Sequence, residues 1–321
     1  MDTVPIKFVD SVVELFDGEK TLNPLAEEVA HPLWKAAVDV HHRNRVYYKI
    51  CIREIAGDIK IVSEQQGTEI YEDLGSIRKN RRFARIVCIE DQTECYDDPL
   101  WDVSAAFTEV DAAKQLESVA PQLEQSSRVF VIDLRCQDIF LNSLYSRFFG
   151  GISLVYDGQT SLTFLEKQIA HSPFLDTIDL HEGEYRWPQS VLPLIEQFCL
   201  RGRPGRRVYL EIHDTMEAMI DINFVEKFFE HWKEKGTLNF TLVCDAEAVD
   251  LEDWQTLFKK GQVTELERGN FRSVIKHETA KSIAVCCTGA YRDFSLVFHT
   301  CTCDLSEKCF LKERYPEYHD F

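Results

Sequence analysis

The chain has 321 residues, 45% of them hydrophobic and 12% aromatic, so it can bury a large core as one or two domains. Its 54 acidic and 36 basic residues give a net charge of −18, which argues against a nucleic-acid-binding protein, because such proteins need a basic surface. No apolar run approaches the roughly 18 residues of a transmembrane helix, so we expect no membrane partner. The cysteines follow no disulfide pattern, and we expect a cytoplasmic or nuclear protein.

The segment from Ile6 to Asp17 has helical periodicity, and its apolar residues cover about half of the helical wheel. A surface helix needs an apolar stripe only about 100° wide, so this helix has more apolar surface than one neighbour would bury. Thr21 can cap a second short helix, and Pro32 is well placed to begin a third. The sequence therefore predicts three short helices within residues 1–45, too small a unit to be stable without docking onto something else.

The order of apolar residues in these helices resembles the F-box, and in particular the divergent F-box proteins that are greatly expanded in nematodes. The residues that carry the resemblance are Val4, Pro5, Phe8, Val12, Leu15, Phe16, Leu22, Leu25 and Trp34. The resemblance implies that these residues contact the small adaptor subunit of an SCF-type (cullin-RING) ubiquitin ligase, and through it the cullin. Part of the wide apolar surface would pack on the second and third helices, and the rest would face the adaptor.

Residues 46–128 form a strand-rich and helical region that connects or caps the rest. The alternating segment "VYYKICIREI" from Val46 predicts a strand, residues 58–62 predict its return as a hairpin, and "FARIVCIED" from Phe83 predicts another strand. The basic stretch between Arg78 and Arg85 is expected to be a solvated face.

Strands and helices alternate in residues 129–281. Strands are predicted to begin at Val129, Ile152, Thr177, Val208, Asn239 and Thr264. The helical stripes between them are centred on Leu165, Ile195, Phe228 and Trp254. Such alternation favours parallel strands with helices on a face of the sheet.

Two architectures fit this alternation. A doubly wound nucleotide-binding sheet would need a Gly-rich turn after an early strand, and the sequence contains no G-x-G-x-x-G. A leucine-rich-repeat solenoid needs L-x-x-L-x-L at each strand, which residues 149–154 and 175–180 match. We therefore expect an irregular, leucine-rich-repeat-like α/β solenoid over 129–281, like the C-terminal substrate-binding regions of the nematode F-box families.

Residues 282–321 are predicted to form a C-terminal β-hairpin and a tail. The segments "SIAVCC" and "DFSLVFHTCTC" alternate around "TGAYR", which favours a hairpin that caps the last repeat. The final "RYPEYHDF" is expected to be loosely held.

In each predicted strand, the residues that alternate with buried ones point to solvent. The outward residues that we assign to target binding are Asp179, His181, Glu211, His213, Glu265 and Glu267. If Leu266 is buried, the strand from Thr264 continues the series, and stacked strands about 4.8 Å apart would join these side chains into one acidic band. Such a band would attract a basic target protein.

We expect no metal, cofactor or catalytic residue. Cys286, Cys287, Cys301, Cys303 and Cys309, together with His299, invite a zinc interpretation, but their spacing lacks the paired C-x₂₋₄-C of structural zinc sites. No protease, esterase or kinase motif is present. Two functions remain open: a non-catalytic substrate-recognition subunit of an SCF-type ligase, or an F-box-like regulatory protein, an inhibitor or antidote of one target, that no longer binds the adaptor.

Overall fold

The computed structural model describes residues 4–93, 100–131, 133–181, 183–213, 216, 220–245, 249, 251–266, 270–288, 294–305 and 308–319. The chain divides into two compact units, Met1–Ile152 and Ser153–Phe321. Both units combine helices with a sheet, so the predicted α/β class is confirmed. Among the described residues, no helix has the length and apolar character needed to cross a membrane.

The first unit contains a five-residue π-helical turn at Gly18–Leu22 in addition to its helices and strands. Its helices are α1 (Ile6–Glu14), α2 (Asn23–Glu28), α3 (Pro32–Asn44), α4 (Gly75–Lys79), α5 (Leu100–Val103), α6 (Glu109–Val119) and α7 (Leu134–Leu144). Its strands are β1 (Val46–Ile55), β2 (Asp58–Gln65), β3 (Tyr71–Glu72), β4 (Ala84–Asp91), β5 (Ala106–Phe107) and β6 (Leu123–Phe130). The helices predicted within residues 1–45 and the strands predicted within 46–91 are therefore present.

In this unit the strands lie in the order β6-β4-β1-β2-β3, and β5 also pairs with β2. β1 runs parallel to β4, β4 runs parallel to β6, and β1 and β2 form the expected antiparallel hairpin. Ala56 and Gly57 make its turn with positive φ angles of 52° and 96°, the backbone that two-residue hairpins favour. The strand expected to begin at Val129 begins earlier, at Leu123.

The second unit is described by the same kinds of element. Its helices are α8 (Gln159–His171), α9 (Leu192–Cys199), α10 (Ile222–Lys235), α11 (Leu251–Phe258) and α12 (Phe310–Arg314). Its strands are β7 (Gly151–Val155, which begins just before the unit boundary), β8 (Thr177–His181), β9 (Val208–Ile212), β10 (Phe240–Cys244), β11 (Gln262–Glu265), β12 (Phe271–Lys276), β13 (Ser282–Thr288) and β14 (Phe294–Thr300).

The strands of the second unit lie in the order β7-β8-β9-β10-β14-β13-β12-β11. From β7 to β10 this order follows the chain, and β8, β9 and β10 are parallel. α9 packs against β9 and β10. Ile178 and Leu180 of the L-x-x-L-x-L pattern are buried, and so are Leu210 and Ile212 at the equivalent positions of β9, because alternate residues of a strand point to the same face of the sheet.

The expectation of a solenoid over 129–281 is wrong, although β8, β9 and β10 are parallel as predicted. β11 pairs with β12, and β12 with β13, in antiparallel register, and β14 inserts beside β10 out of chain order. A solenoid adds one parallel strand per repeat, so this mixed sheet is not a repeat stack from end to end. The β13–β14 hairpin is present, with its tip (289–293) outside the described residues, but it lies inside the sheet and β11 takes the edge.

Aromatic side chains fill the core beneath β10 and β14. Trp232 and Phe229 from α10 contact Phe298 on β14 with ring centroids 5.5 and 5.2 Å apart. The indole Nε1 of Trp232 donates a hydrogen bond of 2.7 Å to Ser282 Oγ. α10 then ends at Gly236, whose φ of 65° is the left-handed conformation typical of a helix C-terminus.

The C-terminal segment is packed, not loosely held. Leu311 in α12 and Tyr318 are buried together with Val274 of β12 and with Ile283 and Val285 of β13. A 3₁₀ turn at Pro316–Tyr318 follows α12, and His319 after it is 7% exposed. The expectation of a loose tail is therefore wrong up to residue 319, because its aromatic residues belong to a hydrophobic cluster.

Candidate functional site

The exposed face of α1 is the first candidate site. Pro5 begins the helix, since its carbonyl accepts hydrogen bonds from the amides of Phe8 and Val9 at 3.0 and 3.3 Å. At about 100° per residue, Phe8, Val12 and Leu15 share one side of α1, and Val9 and Val13 share another. Val9 and Val13 are fully buried, whereas Phe8 is 57% and Leu15 69% exposed. The helix thus presents an apolar stripe beside the side that packs on its own core, with Phe8 and Leu15 largely exposed and Val12 half-buried.

A small hydrophobic core lies beneath this stripe. It consists of Val9, Val13, Leu22, Ala37 and Val38. Of the residues assigned to adaptor binding, Pro5, Phe8 and Leu15 are exposed, Val4, Val12, Phe16, Leu25 and Trp34 are half-buried, and Leu22 is completely buried. Leu22 therefore stabilises the helices from within. The rings of Phe16 and Trp34 stack with centroids 6.4 Å apart.

Buried charge joins α1 to the sheet of the same unit. The guanidinium of Arg45 donates to the carbonyls of Val13 and Glu14 at 3.0 Å each, and it also donates to Phe16. The same guanidinium pairs with Glu124 of β6 at 3.1 Å. Helix ends leave carbonyls without partners inside the helix, and Arg45 supplies the missing donors.

Two further arginines contact α1. The expectation of a solvated basic stretch is wrong for Arg85, whereas Lys79, Arg81 and Arg82 are exposed. Arg85 is 7% exposed and donates to the Glu14 carbonyl at 2.8 Å. Arg82 donates to both carboxylate oxygens of Asp10 on α1, at 2.8 and 2.9 Å. These basic side chains position α1 on its unit.

The second candidate site lies on β8 and β9. Asp179 and Glu211 are direct neighbours in the parallel register. Asp179 is half-buried and accepts hydrogen bonds from the Nε2 atoms of His181 and His213, at 2.8 and 3.1 Å. Because a carboxylate only accepts, both histidines carry a proton on Nε2 here. The imidazole rings stack with centroids 4.6 Å apart.

The electrostatics of this group follow from its hydrogen bonds. Burial alone would raise the pKa of Asp179, but the bonds from His181 and His213 outweigh it and lower the pKa to about 2. The bond to Asp179 in turn raises the pKa of His213 above its ordinary value of 6.5, against the effect of burial. Asp179 is therefore a fixed negative charge at neutral pH.

The acidic band does not extend as expected. Glu265 lies on β11, which β12, β13, β14 and β10 separate from β9. Leu266, expected in the core, is 40% exposed, so the strand from Thr264 does not continue the series. Glu267 lies outside the described residues. The candidate target surface is thus limited to Asp179, His181, Glu211 and His213.

A third group contains three residues that were considered as zinc ligands from the sequence and rejected, Cys301, Cys303 and Cys309, and a fourth that was missed, His319. The side chains of Cys301, Cys303, Cys309 and His319 place their ligand atoms within 4.8 Å of one another. The sequence does contain a C-x-C pair, followed by one more cysteine and a distant histidine. His319 was not considered as a ligand because it lies in the C-terminal segment that was expected to be loosely held.

Two other groups among the described residues meet the same distance criterion. One is Asp179 with its two histidines, whose Nε2 atoms already donate to the carboxylate. The other is Asp91, Asp133 and Cys136, in which Asp91 accepts hydrogen bonds from the backbone amides of Thr93 and Asp133 at 2.9 and 2.7 Å. Hydrogen bonding accounts for both arrangements.

No protein-family model matches this chain, and no curated protein matches it. Among solved structures, a chitinase from Chromobacterium violaceum is 12% identical to it, with 85% of this chain and 84% of that chain covered and a TM-score of 0.17. A likeness this weak carries no argument about fold or activity.

Proposed function

We propose that this chain is a non-catalytic substrate-recognition subunit of an SCF-type (cullin-RING) ubiquitin ligase. Residues 4–44 would bind the adaptor as an F-box-like module, and the parallel strands of the second unit would bind a target protein. The observation that carries the proposal is the apolar stripe Phe8–Val12–Leu15, which lies next to the side of the helix that is already packed on its own core.

The stripe has the form of a helix-to-protein contact. Residues four and three apart lie side by side along a helix, so Phe8, Val12 and Leu15 make one continuous strip about two turns long. Two of these side chains leave more than half of their surface to water, at 57% for Phe8 and 69% for Leu15. Burying large apolar side chains at the centre of an interface typically provides much of the binding energy.

Rigid attachment of α1 supports the same proposal. Arg45 and Arg85 hold the carbonyls at its C-terminal end, and Arg82 holds Asp10 on its flank. A helix fixed in this way loses little freedom when a partner binds, which favours affinity.

For the target, the candidate surface is the group around Asp179 and Glu211 on β8 and β9. Asp179 stays ionised at neutral pH because His181 and His213 stabilise its charge. Both carboxylates are half-buried, and on a chain of net charge −18 their negative charge would attract a basic segment.

The decisive experiment is co-purification of the full chain with the adaptor and cullin. The wild type is expected to retain both, and the double variant Phe8→Asp/Leu15→Asp is expected to lose both, because charges would enter a dry contact. Both positions are exposed, so folding should be unchanged. The matched control is Ile70→Asp/Val110→Asp, which changes exposed apolar residues outside residues 4–44 (49% and 65% exposed) and should still bind.

A wild-type chain that folds but captures no adaptor would refute the proposal. The alternative would then be an F-box-like inhibitor or antidote of one target that acts without the ligase. If the control variant lost the adaptor as well, added negative charge anywhere on the unit would be enough to prevent binding. The adaptor contact could then not be assigned to α1.

A further inference from the structure

Four potential metal ligands converge where β14 meets the C-terminal segment. Cys301 Sγ lies 3.8 Å from Cys309 Sγ and 3.4 Å from His319 Nε2. Cys303 Sγ lies 3.2 Å from the same nitrogen. All four ligand atoms are within 4.8 Å of one another.

The first three of these distances lie within about 0.4 Å of the edges of a zinc tetrahedron. With Zn–S near 2.3 Å and Zn–N near 2.0–2.1 Å, the edges of a regular site are roughly 3.8 Å between sulfurs and roughly 3.6 Å between sulfur and nitrogen. A disulfide would need sulfurs about 2.05 Å apart, far closer than Cys301 and Cys309. The cluster therefore has the size that a central ion requires.

Three short pieces of chain supply the ligands. Cys301 follows the last residue of β14, Cys303 lies in the turn beyond it, Cys309 precedes α12, and His319 follows the 3₁₀ turn. The amide of Thr302 donates to Cys309 Sγ at 3.4 Å, a contact typical of metal-bound thiolates because it supports their charge. Cys309 is 1% exposed, whereas Cys303 is exposed, which leaves a path for an ion to enter.

We propose that Cys301, Cys303, Cys309 and His319 bind one zinc ion in a structural site. Three thiolates and one imidazole form a donor set that selects zinc, and four protein ligands leave no open position for a substrate. The ion would join the segment 308–319 to the end of β14. This role is independent of adaptor or target binding.

The site has a structural reason to exist. Residues 308–319 form α12 and one 3₁₀ turn, too short to be stable as isolated helices. Their buried contacts are made mainly by Leu311 and Tyr318 against β12 and β13. A metal ion bound by Cys309 and His319, near the two ends of this segment, would add the free energy that these few contacts do not supply for ordering it against β14.

The test is the zinc content of the full chain, purified under reducing conditions and measured by inductively coupled plasma mass spectrometry. The wild type is expected to hold about one zinc ion per chain. Cys303→Ser and His319→Asn are expected to weaken zinc binding more than the 10–100-fold that outer-shell changes typically cause. The control is Cys287→Ser, a half-buried cysteine of β13 beside the same cluster, which should retain the metal.

Cobalt substitution of the wild type provides a measurement that needs no variant. Tetrahedral cobalt with thiolate ligands gives characteristic visible bands, and zinc should displace them. Hydrogen exchange should also show that a chelator removes the protection of residues 308–319 before that of β7–β10. A reduced, folded wild type that binds no zinc or cobalt, or a Cys303→Ser variant that binds zinc as tightly as the wild type, would overturn the proposal.

Discussion

Arg45 and Glu124 form an ion pair of 3.1 Å in which the side chains are 0% and 4% exposed. The pair connects the residue after α3 with β6, and the same guanidinium holds the end of α1. Burial raises the pKa of Glu124, while the Gly18 amide and Arg45 act in the opposite direction. The position of the α1 stripe therefore depends on two charged side chains that are almost completely buried.

Arg45→Met should destabilise the chain by about 3–5 kcal/mol, because it removes the positive charge that faces the buried carboxylate of Glu124 and the guanidinium donors at the end of α1. Urea denaturation of the full chain measures the change. Arg43→Met, which removes a 74% exposed guanidinium paired with Asp39, should change stability by less than about 1 kcal/mol. Equal effects of the two variants would show that Arg45 stabilises no more than a surface charge.

Asp179→Asn should make the free energy of unfolding depend less on pH, both in the acidic range and above pH 6.5. The lowered pKa of Asp179 (about 2) contributes stability above pH 3.8 that is lost as the pH falls toward 2. The raised pKa of His213 contributes stability below pH 6.5 that is lost as the pH rises through the folded-state value.

The contribution of Asp179 is about 2 kcal/mol, from a shift of nearly two pKa units. It is measured as the difference in unfolding free energy between variant and wild type across pH 2–8. Asp58→Asn, at an exposed position of β2, serves as the control. Its curve of unfolding free energy against pH should run parallel to that of the wild type. If the Asp179→Asn curve also ran parallel to the wild type, the histidine bonds would contribute nothing.

Gly236→Ala should destabilise the second unit more than Gly57→Ala destabilises the first. Both glycines have positive φ, so both changes cost about 1 kcal/mol of backbone strain. A Cβ at Gly236 would also lie 2.5 Å from the Cβ of Ala280, whereas nothing lies within 4 Å of one at Gly57. The difference in melting temperature between the two variants measures the effect of this clash. If both variants lost the same stability, the clash would contribute nothing.

Ser282→Ala should cost about 1–3 kcal/mol, because it leaves the buried indole N–H of Trp232 without its acceptor. Ser11→Ala, at an exposed serine of α1, is the control and should be nearly neutral. Urea denaturation compares the two. A neutral Ser282→Ala would mean that the indole N–H gains nothing from this bond.

Local pattern predicts most elements of this fold. The helical stripes around Phe228 and Trp254, and the alternation in "VYLEI", correspond to α10, α11 and β9. Such periodicity reflects which face of an element is buried, and it is visible in a short window.

The pairing of distant strands could not be predicted in the same way. Nothing in the sequence of β10 indicates that it pairs with β14 and not with β11, because this pairing depends on how the C-terminal hairpin packs. The metal-ligand group could not be predicted for the same reason, since its members are separated in the sequence. His319 joins Cys301 only because a hydrophobic cluster around Tyr318 brings the chain back to the end of β14.

The insertion of β14 beside β10 has a consequence for synthesis. A chain growing from its N-terminus completes β7 to β10 in order, each beside its predecessor, so these strands can pair as they emerge. β10 then keeps one unpaired edge, with the apolar sequence "FTLVC", until Phe294–Thr300 have been made. Chains stalled or truncated near Lys281 would expose that edge, and they should aggregate or recruit chaperones far more than the complete protein does.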